Sequence, residues 1–169
     1  MPVTISQAQP EDHAAIGQLM VGVYSSLPGF ATPEEQPAYY QMLANIGDFT
    51  VKESVELLVA KNEGDILGAV VYIGDMQDYG AAINIEDTNA VAFRLLAVST
   101  SARGLGVGKL LTNACLDKAR LQGKKQMIIH TTESMKVAWG MYEKIGFVRS
   151  TALDFVQSGL QVYGFKMGL

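Results

Sequence analysis

The stretch R-L-L-A-V-S-T-S-A-R-G-L-G-V-G-K, from Arg94 to Lys109, decides how this chain folds. It begins with the short apolar run 95–98, which predicts a strand buried on both faces. A bend follows in which glycine alternates with apolar residues, and glycine lets the backbone adopt positive φ and approach a ligand closely. From Gly106 onward, apolar residues recur every three or four positions, which predicts a helix with one buried face.

The start of that helix predicts an anion site. The first-turn amides of a helix have no acceptor within the helix, and they lie at the positive end of its dipole. Two cations flank this turn, so a phosphate or pyrophosphate is the natural ligand. The residues predicted to contact it are Arg103, Gly104, Leu105, Gly106, Val107, Gly108 and Lys109.

Two common nucleotide-binding patterns do not fit this bend. A P-loop needs glycine where the chain has Arg103, and serine or threonine where it has Leu110. A dinucleotide fingerprint that starts at Gly104 needs a third glycine at position 109, which is lysine. The bend by itself is also compatible with a glycine-rich turn that only connects a strand to a helix.

Two motifs together resemble those of the GCN5-related N-acetyltransferase (GNAT) family. The first is Arg103-x-x-Gly106-x-Gly108, which is similar to the acetyl-CoA loop of that family. The second is A-x-x-x-Y-E-K-x-G-F over residues 138–147, which is similar to the helix that carries a tyrosine and ends at a glycine. The resemblance is strong over residues 90–149 and rests elsewhere on the order of elements.

The resemblance implies an α/β fold, more closely an α+β mixed sheet, in the form of the GNAT acyl-CoA N-acyltransferase fold. Its central sheet is mostly antiparallel, and helices cover both faces. Local patterns predict the order β-α-α-β-β-β-α-β-α-β-β. The predicted helices after the first strand span 10–24, 32–45 with Thr32 as cap, 106 to about 120, and 134–146 with Ser134 as cap. The predicted strands are 55–61, 66–73, 95–98, 127–130, and a last hairpin of 147–155 and 160–167.

Length and composition predict one globular domain over residues 1–169, because a chain of this size buries a sufficient core. No apolar run approaches the roughly 20 residues of a membrane span, and the N-terminal residues lack a secretory pattern. The single cysteine, Cys115, lies on the apolar face of a predicted helix, so we expect a core thiol and a cytoplasmic protein. A net charge of −4 argues against a nucleic-acid partner, and the sequence indicates no metal site.

The resemblance implies acetyl-CoA as cosubstrate and a binding mode for it. Main-chain groups of Leu96, Ala97 and Val98 would pair with the acetyl and pantetheine groups, and the glycine bend would hold the pyrophosphate. Met135 and Ala138 would also contact the cofactor, although Met135 stands where many members have an asparagine. Tyr142 would be the general acid, because a phenol with a pKa of about 10 is protonated at neutral pH.

The general base is left open. Some members carry a glutamate on the central strand where this chain has Ala92. Glu86 and Asp87 in the preceding loop, Glu133 after the next strand, and His130 at the end of that strand are the candidates, and no spacing decides among them.

Two functions follow from these residues. The first is an N-acetyltransferase that acts on a primary amine of a small molecule or peptide by direct attack in a ternary complex. The alternative is a CoA-binding sensor or interaction module without turnover, which Ala92 and Met135 motivate. The acceptor is not readable, because its pocket would be formed by segments without motifs. Homodimers are common in the family, but no feature of this sequence indicates one.

Overall fold

The structure is a computed structural model that describes residues 2–79, 89–157 and 159–169. Four helices are present in this part of the chain: α1 His13–Ser25, α2 Pro37–Ala44, α3 Val107–Leu121 and α4 Lys136–Ile145. The strands are β1 Thr4–Gln7, β2 Val55–Asn62, β3 Asp65–Ile73, β4 Ala90–Val98, β5 Gln126–Thr131, β6 Val148–Arg149, β7 Phe155–Gln157 and β8 Leu160–Gly168. No helix in the described ranges is both long and apolar enough to cross a membrane.

One sheet runs through the whole fold, in the order β1-β2-β3-β4-β5-β8-β6. Strand β7 pairs with the first three residues of β8, 160–162. Its only parallel pair among the described strands is β4–β5, and the other pairs are antiparallel. The predicted fold class, a mostly antiparallel mixed sheet with helices on both faces, is therefore confirmed.

The sheet separates two apolar cores. Helices α1 and α2 cover one face with Ile16, Met20 and Leu43, while α3 and α4 cover the other with residues that include Leu111 and Cys115. Alternate residues of β2, β3 and β4 belong to opposite cores, so these strands have apolar runs rather than strict alternation. The predicted core position of Cys115 is confirmed, and its burial raises the pKa of the thiol.

The second predicted helix, 32–45, begins five residues too early. In the structure α2 begins at Pro37, and Thr32 and Glu35 exchange side-chain-to-backbone hydrogen bonds of 3.1 and 3.2 Å around an isolated turn. The capping pattern is therefore real but does not continue into a helix. Gln36 precedes a proline, which disfavours the α conformation, and its φ of −134° interrupts the helix there.

Two boundaries near the C-terminus are also corrected. Ser134 does not cap the fourth helix, because it lies inside a 3-10 turn, Glu133–Met135, and α4 begins at Lys136. The predicted strand 147–155 is divided into β6 and β7 by a further 3-10 turn. Across this turn Arg149 makes two 2.8 Å hydrogen bonds to Asp154, whose carboxylate also accepts from the amide of Gly164 at 2.7 Å. This partly buried ion pair holds the break in place.

Helices α1 and α2 touch through Gly17, and this contact gives a testable prediction. A methyl group at Gly17 would lie 2.1 Å from the carbonyl oxygen of Ala44, whereas a methyl group at Gly22, on the same helix, would contact nothing within 4 Å. We expect Gly17→Ala to lower the free energy of unfolding by about 1–3 kcal/mol, because the helices must separate. Gly22→Ala should raise it by about 0.5–1 kcal/mol. Urea unfolding of both variants measures this, and equal effects of the two substitutions would contradict it.

Candidate active site

A cleft opens in the middle of the sheet, where β4 and β5 separate. The two strands pair only over Ala90–Ala92 and Gln126–Ile128. Beyond these residues, a cavity of about 600 Å³ lies between the strand ends and the helices α1, α3 and α4. A cavity of this size can take an extended organic ligand.

A β-bulge in β4 accompanies this separation. Val71 pairs with Arg94 and Ala69 pairs with Ala97, so two residues of β4, Leu95 and Leu96, stand opposite the single residue between them on β3. Leu95 has a φ of +57°, which a branched side chain rarely adopts. A bulge leaves its extra residue unpaired and bends the strand, and β4 diverges from β5 beyond Ala92. The phenol of Tyr24 donates to the carbonyl of Leu96 at 3.1 Å and braces this bend.

The glycine bend forms one end of the cleft. Gly104 and Gly106 have φ values of +81° and +80°, and neither would place a methyl group within 4 Å of another atom. Helix α3 begins at Val107 without a side-chain cap, and its first backbone bond runs from the amide of Leu110 to the carbonyl of Gly106. The preceding first-turn amides of α3 therefore have no partner within the helix. An anion can approach them closely, so the geometry fits a pyrophosphate.

Most of the predicted cofactor-binding residues line this one cavity: Leu96, Val98, Arg103, Gly104, Gly106, Val107, Gly108, Lys109, Met135, Ala138 and Tyr142. Two others do not. The side chain of Ala97 is buried in the core on the α1 face, and Leu105 is exposed outside the cavity lining.

The two candidate bases that the structure describes are not brought together. His130 lines the cleft, whereas Glu133 is exposed, lines a neighbouring cavity and accepts a 3.1 Å hydrogen bond from Tyr163. Glu86 and Asp87 lie outside the described residues. Within the described ranges no cluster of three or more histidine, cysteine or acidic residues could hold a metal ion.

Tyr142 lies on α4 with its ring packed edge-on against Phe93 and Phe147, at centroid distances of 5.7 and 5.8 Å. The residue is buried, and desolvation raises the pKa of its phenol well above the ordinary value of 10.0. No hydrogen bond joins its hydroxyl to any other described residue. Tyr142 therefore presents a protonated, uncommitted donor to the cleft at neutral pH.

Two neighbours select one tautomer of the neutral His130 ring. Its Nε2 lies 2.8 Å from the carbonyl of Leu153, which can only accept, so Nε2 carries the proton. Its Nδ1 then accepts from the hydroxyl of Tyr79 at 2.7 Å. Burial lowers the pKa of His130. The ring is thus neutral at pH 7, and both of its nitrogens are hydrogen-bonded within the protein.

The sequence analysis missed three residues of this site. Tyr24 and Tyr79 approach it from distant segments, and no local pattern indicates either of them. Arg94 lines the cavity from β4, and it had a visible signal: it is the one charged residue in the apolar segment 90–98.

Comparison with known proteins agrees with this geometry. The model of the family described as "Acetyltransferase (GNAT) family" matches residues 7–147. N-acetylaspartate synthetase of Danio rerio is 30% identical over 95 residues, which are 56% of this chain and 34% of that protein. The chain thus spans about a third of the length of the curated relatives it matches.

Solved structures share the fold over nearly the whole chain. The PaiA N-acetyltransferase of Thermoplasma acidophilum, in complex with coenzyme A, superposes with a TM-score of 0.77 at 13% identity and covers 99% of this chain and 100% of that one. The structure of yncA from Salmonella typhimurium with its cofactor acetyl-CoA gives 0.67 at 18% identity and covers 100% and 95%. At these identities the likeness concerns the fold alone.

Proposed function

The chain belongs to the acetyltransferase (GNAT) family, and from this premise we propose that it transfers the acetyl group of acetyl-CoA to a primary amine of a small molecule or peptide. The observation that carries the proposal is the cleft itself. One end is the uncapped start of α3 with its two positive-φ glycines, and the middle holds the β4 bulge and the hydroxyl of Tyr142. Acetyl-CoA has a pyrophosphate, a pantetheine arm and a thioester in this order along the molecule, and the cleft offers a suitable feature for each of them.

We assign the following contacts. The pyrophosphate binds the amides of Gly104 and of residues 106–109, with the side chains of Arg103 and Lys109 beside it. The amides of Arg103 and Leu105 are not among them, because they donate to the carbonyls of Thr100 and Ala102. The pantetheine arm lies between the separated strands, beside Met135 and Ala138. Main-chain groups of 96–98 hold its amides and the acetyl carbonyl. Met135 has no side-chain donor, so the main chain and apolar contact replace the hydrogen bond that an asparagine would supply.

The reaction is acyl transfer in two steps: the amine attacks the thioester, and the tetrahedral intermediate then collapses. The neutral amine attacks the thioester carbonyl carbon, and the C–N bond forms as negative charge develops on oxygen. The C–S bond then breaks, and the sulfur takes its proton from the hydroxyl of Tyr142. The amine proton goes to a base, for which His130 lines the cleft and Glu86, Asp87 and Glu133 are alternatives. The base releases this proton to solvent, and Tyr142 regains one from solvent before the next turnover.

We also propose that residues 1–169 form a single domain in a cytoplasmic protein. The support is that one sheet connects the first described strand to the last, with both cores built on it. The chain contains no internal disulfide that an oxidising compartment would have to maintain, because its single cysteine, Cys115, is a buried free thiol.

The experiment that tests the function is release of CoA thiol from acetyl-CoA in the presence of an amine panel. The panel contains monoamines, diamines, amino acids and peptides, and it includes aspartate because the matched relative is named N-acetylaspartate synthetase. We expect at least one acceptor to raise thiol release above hydrolysis at least tenfold, with the acetylated product visible by mass. Tight CoA binding without any turnover would instead support a sensor or interaction module.

A further inference from the structure

Arg94 places a positive charge in the cleft, on the side away from the glycine bend. It precedes the bulge in β4 and lies on the face that α1 and α2 cover, where its guanidinium stands 5.6 Å from the centre of the Phe49 ring. One long hydrogen bond of 3.4 Å joins Nη1 to the carbonyl of Tyr79. Within the described residues this is the one hydrogen bond of a guanidinium that has five donors.

The described surroundings of Arg94 are neutral. Its charge acts on Tyr24, Tyr39, Tyr79 and His130, and burial keeps all four uncharged near pH 7. Among residues 2–79, 89–157 and 159–169, no carboxylate oxygen lies within 4.0 Å of the guanidinium. A partly buried guanidinium that no described carboxylate neutralises favours an anion as its ligand.

The anionic groups of acetyl-CoA are not that anion. The proposed pyrophosphate site lies at the start of α3, beyond the end of β4, whereas Arg94 lies four residues before that end. Between them is the position assigned to the acetyl group, near Leu96. Arg94 and Leu96 line the same cavity, so a group held by Arg94 can belong to the acceptor whose amine attacks there.

We propose that Arg94 binds a carboxylate of the acceptor, and that the acceptor is therefore an amino acid or a similar amine with a carboxylate close to its amino group. This inference rests on the function proposed above. A guanidinium fits a carboxylate with two parallel hydrogen bonds, which fixes the orientation of the amine. The same positive charge lowers the pKa of a nearby ammonium group, which favours the neutral nucleophile in a chain that has Ala92 where a glutamate base is found in relatives.

Matched acceptor pairs test the proposal. Each pair is an amino acid and the carboxylate-free amine that remains when its α-carboxylate is absent: phenylalanine and phenethylamine, histidine and histamine, lysine and cadaverine. With the parent protein, we expect kcat/KM for the best carboxylated member to exceed that of its partner at least tenfold. In Arg94→Gln this preference should fall tenfold or more, mainly through KM, and Arg94→Lys should restore part of it.

The control is Arg120→Gln, which removes an exposed arginine paired with Asp117 on α3. This variant should keep the parent preference. Calorimetric titration with acetyl-CoA checks that Arg94→Gln still folds and binds the cosubstrate. Two results would overturn the role of Arg94 and leave the proposed function intact. One is turnover by the parent without any preference for the carboxylated member, and the other is an equal loss of kcat/KM on both members of a pair in Arg94→Gln. No acetyl-CoA binding and no turnover with any amine overturn both this inference and the proposed function.

Discussion

Replacing Gly106 with aspartate is expected to weaken acetyl-CoA binding on the order of 100-fold, because the substitution strains the turn and adds a negative charge beside the pyrophosphate site. Gly106 has a φ of +80°, where a residue with a Cβ is strained and the turn tends to rearrange. The new carboxylate also stands directly before the first turn of α3, where its charge repels the pyrophosphate and competes for the same amides. Isothermal titration of parent and variant with acetyl-CoA and with CoA measures the loss.

Gly123→Asp is the matched control. Gly123 also has a positive φ, +72°, and a methyl group added to it would likewise meet no atom within 4 Å, but it follows the opposite end of α3. The same strain and the same charge are therefore introduced away from the cleft. We expect near-parent affinity in Gly123→Asp, and a lower thermal stability than in Gly106→Asp, because its carboxylate lies at the negative end of the α3 dipole. Equal affinity in Gly106→Asp and the parent would mean that the glycine bend only connects a strand to a helix.

The parts of the site that the sequence predicted are those whose geometry is local. A turn of alternating glycines needs positive φ within a few residues, and the start of the next helix follows at once, so the anion site is visible in 103–109. The same holds for Tyr142, whose motif lies on a single helix that ends at Gly146. In both cases the chemistry and its scaffold are contiguous in the chain.

The parts that could not be predicted depend on contacts between distant segments. Tyr79 and His130 are 51 residues apart, and only the sheet brings them to 2.7 Å. The bulge at Leu95 has no glycine to indicate it, because register with β3 and the hydrogen bond from Tyr24 impose the positive φ. The early start assigned to α2 has a similar cause: the capping residues were correct, but Pro37 decides where the helix begins.

Replacing Tyr142 with phenylalanine is expected to lower kcat by about 100-fold while leaving acetyl-CoA binding nearly unchanged. General acid catalysis is worth roughly 100-fold to 10,000-fold, and a thiolate with an ordinary pKa of about 8.5 is already a fair leaving group, so the low end applies. The ring itself remains, and with it the contacts to Phe93 and Phe147, so the fold should not change. Steady-state kinetics with a saturating acceptor, together with calorimetry, separates the two quantities.

The control is Tyr72→Phe, which removes the hydroxyl of another buried tyrosine. That hydroxyl donates to Gln122 at 2.7 Å, and neither residue lines the cleft. The variant should therefore lose some stability and keep its kcat. Since burial keeps the pKa of Tyr142 above 10.0, the acid form persists across the working range, and ionisation of Tyr142 should not reduce kcat of the parent below about pH 10. An unchanged kcat in Tyr142→Phe would instead assign this tyrosine to packing against the sheet, and sulfur would then take its proton from solvent.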